Sequence, residues 1–316
     1  MQNFLISFEV VFPIFIMMAL GFFLRQIKLF NDVTVKQMNA AVFRVFLPAM
    51  LFKNVYQSSI SEVFNGRLLA FALIAAVGCV VFAFLVVPFL TKENPKRGAL
   101  IQGIFRSNFA IFGLPVAVTL CGETSAAVAA VLIATVIPLY NVLAVVTLEV
   151  FGNKRGGFGK TVKGIAKNPL IIASLLGLLV NLIGLRLPSF VETAVGNVGS
   201  IATPLSLVML GASIHFSTVK RNAPLLTVGL LAKLVLIPAV CLSLAAFVFG
   251  FRDAELAVLI ALFASPTAVS SFPMAVEMGS DEELAGQLVM FSTALSVLTV
   301  FFFIFLTVSF GLVRPV

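Results

Sequence analysis

The chain has 316 residues, of which 60% are apolar and only 11% are charged, against roughly 45–50% and about 25% in an ordinary soluble domain. Thirty-three phenylalanines stand against two tyrosines and no tryptophan, and the net charge of +8 comes from 21 basic and 13 acidic side chains. This is the composition of an integral membrane protein. The basic residues lie in short connectors between long apolar runs, where they set orientation, so nucleic-acid binding is excluded.

A helix needs about 20 residues to cross the roughly 30 Å hydrocarbon layer. Cutting the chain at its charged and turn-rich breaks predicts ten spans, at residues 5–24, 36–56, 68–90, 98–121, 125–151, 169–185, 190–215, 224–250, 254–279 and 284–312. The first run carries Glu9 in place of a basic leader and has no small-residue cleavage site after it, so it is expected to be kept as a spanning helix. The longest connector, residues 152–168, reads GNKRGGFGKTVKGIAKN and is too short for a soluble domain. Connectors one, three, five and seven hold thirteen basic residues: Arg25, Lys28, Lys36, Lys92, Lys96, Arg97, Lys154, Arg155, Lys160, Lys163, Lys167, Lys220 and Arg221. The opposite side holds five, Lys53, Arg67, Arg186, Arg252 and Arg314. The positive-inside rule then puts both termini outside and the 152–168 connector in the cytoplasm. Asp281, Glu282 and Glu283 fall on the basic side, against the general pattern.

Ten helices with the longest basic connector after the fifth predict two halves, residues 1–151 and 169–316, of opposite orientation, the inverted-repeat plan of secondary transporters. The prolines follow the same plan: Pro13 to Pro48 and Pro169 to Pro204 both span 35 residues, while Pro88 to Pro115 spans 27 and Pro238 to Pro266 spans 28. Under this alignment the fourth helix breaks at Gly113 and Pro115 in IFGLP, and the ninth at Pro266 in ASPTAVSS. Such breaks free backbone groups that lipid cannot satisfy, so they belong inside protein or along a watery cavity. Polar residues gather at the same places: Ser107 and Asn108 in the fourth helix, and Ser265, Thr267, Ser270 and Ser271 in the ninth. Two crossed, broken helices would point their positive N-terminal ends at one midplane site suited to an anion. A single proline kink repaired by Ser and Thr side chains is the plainer reading of either break taken alone.

Three basic residues fall inside the spans, where charge is costly and usually functional. Lys233, the deepest, is expected either near the substrate or in a structural pairing; Arg106 is expected to snorkel toward the inner end; Arg44 is open. No carboxylate sits at mid-membrane, so a dedicated carboxylate proton relay is not expected, and a sodium site would have to use hydroxyls, amides and carbonyls. Asn141, in the fifth helix, can pack between helices, hydrogen-bond to the broken helix or help hold a ligand. Cys79, Cys121 and Cys241 read as small buried hydrophobes with no metal-ligand spacing. Catalysis finds no footing: there are no paired intramembrane aspartates and no Cys/His cluster, and the single histidine, His215, lies at the end of the seventh span. A channel would use the same polar crossing as a carrier; the inverted repeat favours the carrier.

The stretch SNFAIFGLPVAVTLCGE resembles the fourth-helix motif of the auxin efflux carrier family, an asparagine followed by a Gly-x-Pro break, here Asn108, Gly113 and Pro115. The segments VVFPIFIMMALGFFLR, FLPAMLFKN, AKLVLIPAV and ASPTAVSSFPMAVEMG are similar to that family's pattern, so the likeness covers nearly the whole chain. The resemblance implies a fold like that of bile-acid sodium symporters. It also implies a scaffold of helices one, two, six and seven, a moving domain of the other six, and a dimer through the scaffold. The long cytoplasmic loop of many plant members is absent, which makes a small mono- or dicarboxylate such as malate or malonate the expected substrate. No resident cofactor is expected; coupling to Na+ or H+ stays open.

Overall fold

The computed structural model describes residues 2–57, 65–152, 158–214 and 218–314, with side chains from residue 12 onward except 158 and 160. Among the described residues the chain is helical throughout, with no strand. In order the helices are α1 (Gln2–Gln26), α2 (Asp32–Ala41), α3 (Leu47–Tyr56), α4 (Gly66–Leu90), α5 (Asn94–Phe105), α6 (Leu114–Phe151), α7 (Phe158–Ala166), α8 (Pro169–Leu182), α9 (Ser189–Ser200), α10 (Ala202–Ala212), α11 (Val219–Leu231), α12 (Ile237–Ser243), α13 (Asp253–Phe263), α14 (Ser271–Met278) and α15 (Glu282–Ser309). Among the described residues, five stretches are long and apolar enough to cross a membrane: Gly66–Leu90, Asn94–Phe151, Ser189–Ala212, Val219–Val248 and Glu282–Ser309. The apolar part of α1 whose side chains are described, Phe12–Gln26, and α8 are shorter. Side chains such as Ile74, Leu182, Phe89 and Phe247 face outward almost fully exposed, the surface a bilayer covers.

Prolines shape the helices without ending them. Pro48, Pro115 and Pro238 each lie two residues beyond a five-residue π turn, at Val42–Phe46, Phe109–Gly113 and Ala232–Leu236. A proline has no N–H for the carbonyl four residues back and its ring crowds that carbonyl. Widening the preceding turn relieves the crowding. The residue before each proline donates five residues back instead, Leu47 to Val42, Leu114 to Phe109 and Ile237 to Ala232. Pro115 is therefore not the break expected of it. The break lies upstream at residues 106–108, and Pro115 is already inside the next helix. The second break runs from Ala264 to Ser270 and does contain Pro266.

The 58-residue stretch from α5 through α6 bends again at Cys121 and Gly122, where Gly122 takes φ 62°, a left-handed value that suits glycine. Ser125 Oγ donates to the Ala117 carbonyl eight residues back. In a straight helix those residues stand about 12 Å apart, so the chain turns sharply here, between the fourth and fifth expected spans. The connector that follows contains α7; Lys154 and Arg155 lie outside the described residues.

Backbones touch between α1 and α10 and between α3 and α8. A Cβ on Gly21 of α1 would lie 1.9 Å from the Val208 carbonyl oxygen of α10, and one on Gly211 of α10 would lie 1.9 Å from the Met18 carbonyl oxygen of α1. Between α8 and α3, a Cβ on Gly177 would lie 2.7 Å from the Phe52 carbonyl oxygen. The Gly21–Val208 and Gly177–Phe52 contacts are related by one offset: 21 plus 156 is 177, and 208 minus 156 is 52. The same 156 residues separate Pro13 from Pro169 and Pro48 from Pro204. Small residues of this kind let membrane helices approach closely. Elsewhere, residues 98–109 and 256–269 are buried without interruption, so α5, α13 and the breaks that follow them form the interior.

The acidic residues that depart from the charge pattern are engaged locally. Asp281 caps α15 by accepting from the Leu284 N–H, and Glu283 pairs with Arg221. Arg44 is exposed and pairs with Glu277 at 3.4 Å.

Gly21→Ala and Gly211→Ala should each lower stability by about 1–3 kcal/mol through overpacking. Gly78→Ala, at an exposed helical position with nothing within 4 Å of the new Cβ, should be neutral or stabilising by up to about 1 kcal/mol. Thermal unfolding of the purified variants in detergent checks both.

Candidate functional site

The two breaks meet. The Asn108 N–H donates to the Pro266 carbonyl at 2.8 Å, and these residues occupy the same place in their breaks. Each is third after its helix: Arg106, Ser107 and Asn108 follow α5, and Ala264, Ser265 and Pro266 follow α13. On this register Pro115 corresponds to Pro273, both 158 residues apart like Asn108 and Pro266. The expected pairing of Pro115 with Pro266 does not follow the backbone breaks, since only the second break contains its proline.

Further contacts stitch the crossing. Thr267 Oγ1 donates to the Gly103 carbonyl at 2.8 Å, the Thr267 N–H donates to Ser292 Oγ at 3.0 Å, and Ser265 Oγ donates to the Ala261 carbonyl. A Cβ on Gly113 would lie 2.4 Å from the Ala261 carbonyl oxygen, so this glycine lets the second half of one broken helix lie against the first half of the other. The bonds of Ser265, Pro266 and Thr267, and the packing of Gly113, hold backbone in place.

A cavity of about 80 Å³ opens beside the crossing. By a measure in which one water needs about 10–15 Å³, it admits on the order of half a dozen water-sized spheres. Asn54, Arg106, Ser107, Asn108, Tyr140, Asn141, Thr203 and Ser270 supply its polar wall, and Leu47, Met50, Leu51, Ile137 and Leu170 much of its apolar wall. Ala110 and Ile111 line it from the turn leading into α6, and Val269 and Ser270 from the approach to α14. Both second half-helices thus begin at the cavity, where a helix carries roughly half a positive charge.

Of the expected site residues, Ser107, Asn108, Asn141 and Ser270 reach this cavity. Gly113, Pro115, Ser265, Pro266 and Thr267 lie at the crossing without lining it. Lys233 is buried at 1% exposure but apart from the cavity, near the thiols of Cys79 and Cys241, which stand 3.9 Å from each other. His215 lies outside the described residues.

Arg106 corrects another expectation. It does not snorkel: it is 4% exposed, Nη2 donates to Asn141 Oδ1 at 2.5 Å, and Nη1 lies 2.6 Å from Met274 Sδ. The reason is tertiary packing: Arg106 has φ −76° and its N–H still closes the helical bond to the Gln102 carbonyl, so the side chain leaves as from a helix, and Asn141 of α6 and Met274 of α14 cover it there. The sequence signal was its position directly before the polar pair Ser107–Asn108. Tyr140 and Met274 carried no such signal.

Helices built to cross lipid, with two interior breaks meeting beside a small cavity that has polar groups in its wall, define a membrane transport protein. The chain belongs to the membrane transport protein family that includes the auxin efflux carriers, whose model matches residues 6–161 and 157–304. It is 24% identical over 307 residues to an uncharacterised transporter of Methanocaldococcus jannaschii, covering 94% of this chain and 97% of that one. It is 25% identical over 302 residues to a protein of Rhizobium meliloti named "Putative malonate transporter", covering 92% of each.

Asn141→Leu should lower stability by about 1.5–3 kcal/mol, the scale of a hydrogen bond to a charged group, because it takes the amide oxygen from a buried guanidinium. Adding Arg106→Gln should return most of that loss. The two unfolding temperatures, compared with the parent's, test the coupling.

Proposed function

We propose that the protein is a carrier that moves a small organic anion, a mono- or dicarboxylate such as malonate or malate, by alternating access around the cavity at the crossed breaks. The observation that carries this reading is the Asn108–Pro266 hydrogen bond, which ties two mid-helix breaks together beside a cavity with polar groups in its wall. Unwound backbone at that depth is tolerated where it lines a cavity, and helix N-termini aimed at it suit an anion. Ten spans in two inverted halves, both termini outside and the 152–168 connector in the cytoplasm complete the reading. The 156-residue relation between the two glycine contacts supports the repeat. Asn108 is the central ligand, with Ser107, Asn141 and Ser270 around it; Lys233 stays outside the ligand set. Malonate is the first substrate to try, since a relative bears that name. Coupling to Na+ or H+, residence in the cell membrane and a homodimer through the α1, α3, α8 and α10 side belong to the same proposal.

Asn108→Ala should cut saturable malonate uptake into proteoliposomes at least tenfold while leaving the unfolding temperature near the parent's. Uptake equal to the parent's would refute the assignment, and single-channel currents in place of counterflow would turn the carrier into a pore.

For topology, Phe158→Cys in a background lacking Cys79, Cys121 and Cys241 should stay unlabelled by an impermeant thiol reagent outside intact cells. Labelling there would reverse the orientation.

A further inference from the structure

Arg106 is the one charged residue among those that line the cavity. The Arg106 guanidinium can only donate, and no carboxylate lies on the cavity wall or within ion-pair distance of it among the described residues. Because arginine turns the Asn141 oxygen toward itself, the Asn141 Nδ2 group is left without a partner, as are Asn108 Nδ2 and Ser107 Oγ. The unpartnered acceptor nearby, Gln102 Oε1, belongs to a residue that does not line the cavity. A buried cation with no carboxylate beside it, next to two unpartnered amide donors, is incomplete. It lacks an acceptor-rich anion, and a planar carboxylate fits the guanidinium fork.

We propose that Arg106 is the residue that takes the substrate's carboxylate, with the Asn141 and Asn108 amides closing around it, and that the carrier therefore works as an exchanger. The proposal rests on the crossing being the transport site. Its second half follows from charge. During alternation the site passes through a closed state cut off from water. With a carboxylate bound, the guanidinium is compensated. Empty, it makes that passage as an unpaired cation, whose desolvation is costly. The loaded form crosses readily and the empty form slowly, so transport is fast only when a second anion occupies the return step.

The test uses purified parent, Arg106→Gln, Arg106→Lys and Asn108→Ala proteins in proteoliposomes, with radiolabelled malonate outside and vesicles either filled with malonate or left without it. Unfolding temperatures are read with and without malonate. The parent should take up label at least tenfold faster into filled vesicles. Arg106→Gln should lose uptake at least a hundredfold and lose the malonate-induced rise in unfolding temperature, yet unfold without ligand no lower than the parent, since a buried charge has been removed. Arg106→Lys, which keeps the charge without the fork, should lie between and still depend on internal malonate.

Parent-like uptake by Arg106→Gln with loss in Asn108→Ala would overturn Arg106 as the anion's partner and leave the crossing as the site. Parent-like uptake by both would remove the crossing as well. A ligand-free Arg106→Gln protein that unfolds below the parent would make Arg106 structural and overturn the proposal. Equal uptake into filled and empty vesicles would overturn the exchange mode. A parent that neither binds nor moves malonate would remove the reading on which the proposal stands.

Discussion

Backbone N–H and C=O groups cannot be left unpaired in hydrocarbon, where each orphan costs several kcal/mol. The interior of this protein is arranged around that constraint. Two helices stop short of their full length and expose main-chain groups at depth, and each supplies what the other lacks. Asn108 donates to Pro266, Thr267 reaches back to Gly103, and Gly113 lies against Ala261 with no side chain between. The uninterrupted burial of residues 98–109 and 256–269 keeps lipid away from both breaks. Ser107, Asn108 and Asn141, which keep unpartnered polar atoms, line the cavity, where a ligand can complete them.

Three prolines show the same constraint solved differently. At Pro48, Pro115 and Pro238 the helix widens by one residue and re-pairs the freed carbonyls internally, so the rod continues. A proline in an apolar run signals strain in the ladder but does not say whether the ladder is repaired or abandoned. This is why Pro115 could be read as a break, when the break lies at Arg106 to Asn108.

The apolar segments and the polar residues at the crossing were legible because they stand out by contrast. Ser107 and Asn108 interrupt a long apolar run, and repeated proline spacings point to matched halves. Arg106 was not legible in the same way. A cation a few residues from an expected helix end follows the snorkelling rule, and only the packing of α6 and α14 over that face buries it. Lys233 shows the reverse. Depth in the sequence marked it as a site candidate, yet depth along a helix does not tell which face the side chain takes, and it lies beside Cys79 and Cys241. The glycine contacts were equally hidden, since Gly21 and Gly211 acquire meaning only when α1 and α10 are side by side.

The 14 residues of α8 measure about 21 Å at the helical rise, well below the roughly 30 Å of an average hydrocarbon layer. The helix turns Leu175, Leu176, Leu179 and Leu182 outward, and Gly177 fixes its distance from α3. As a span, it leaves a local thickness mismatch that tilting against α3 does not relieve. A bilayer around such a span would have to thin beside it, at a fraction of a kcal/mol per Å. Acyl-chain length then enters the energetics of the α3–α8 side of the molecule, so thin and thick membranes hold the same fold under different mechanical load.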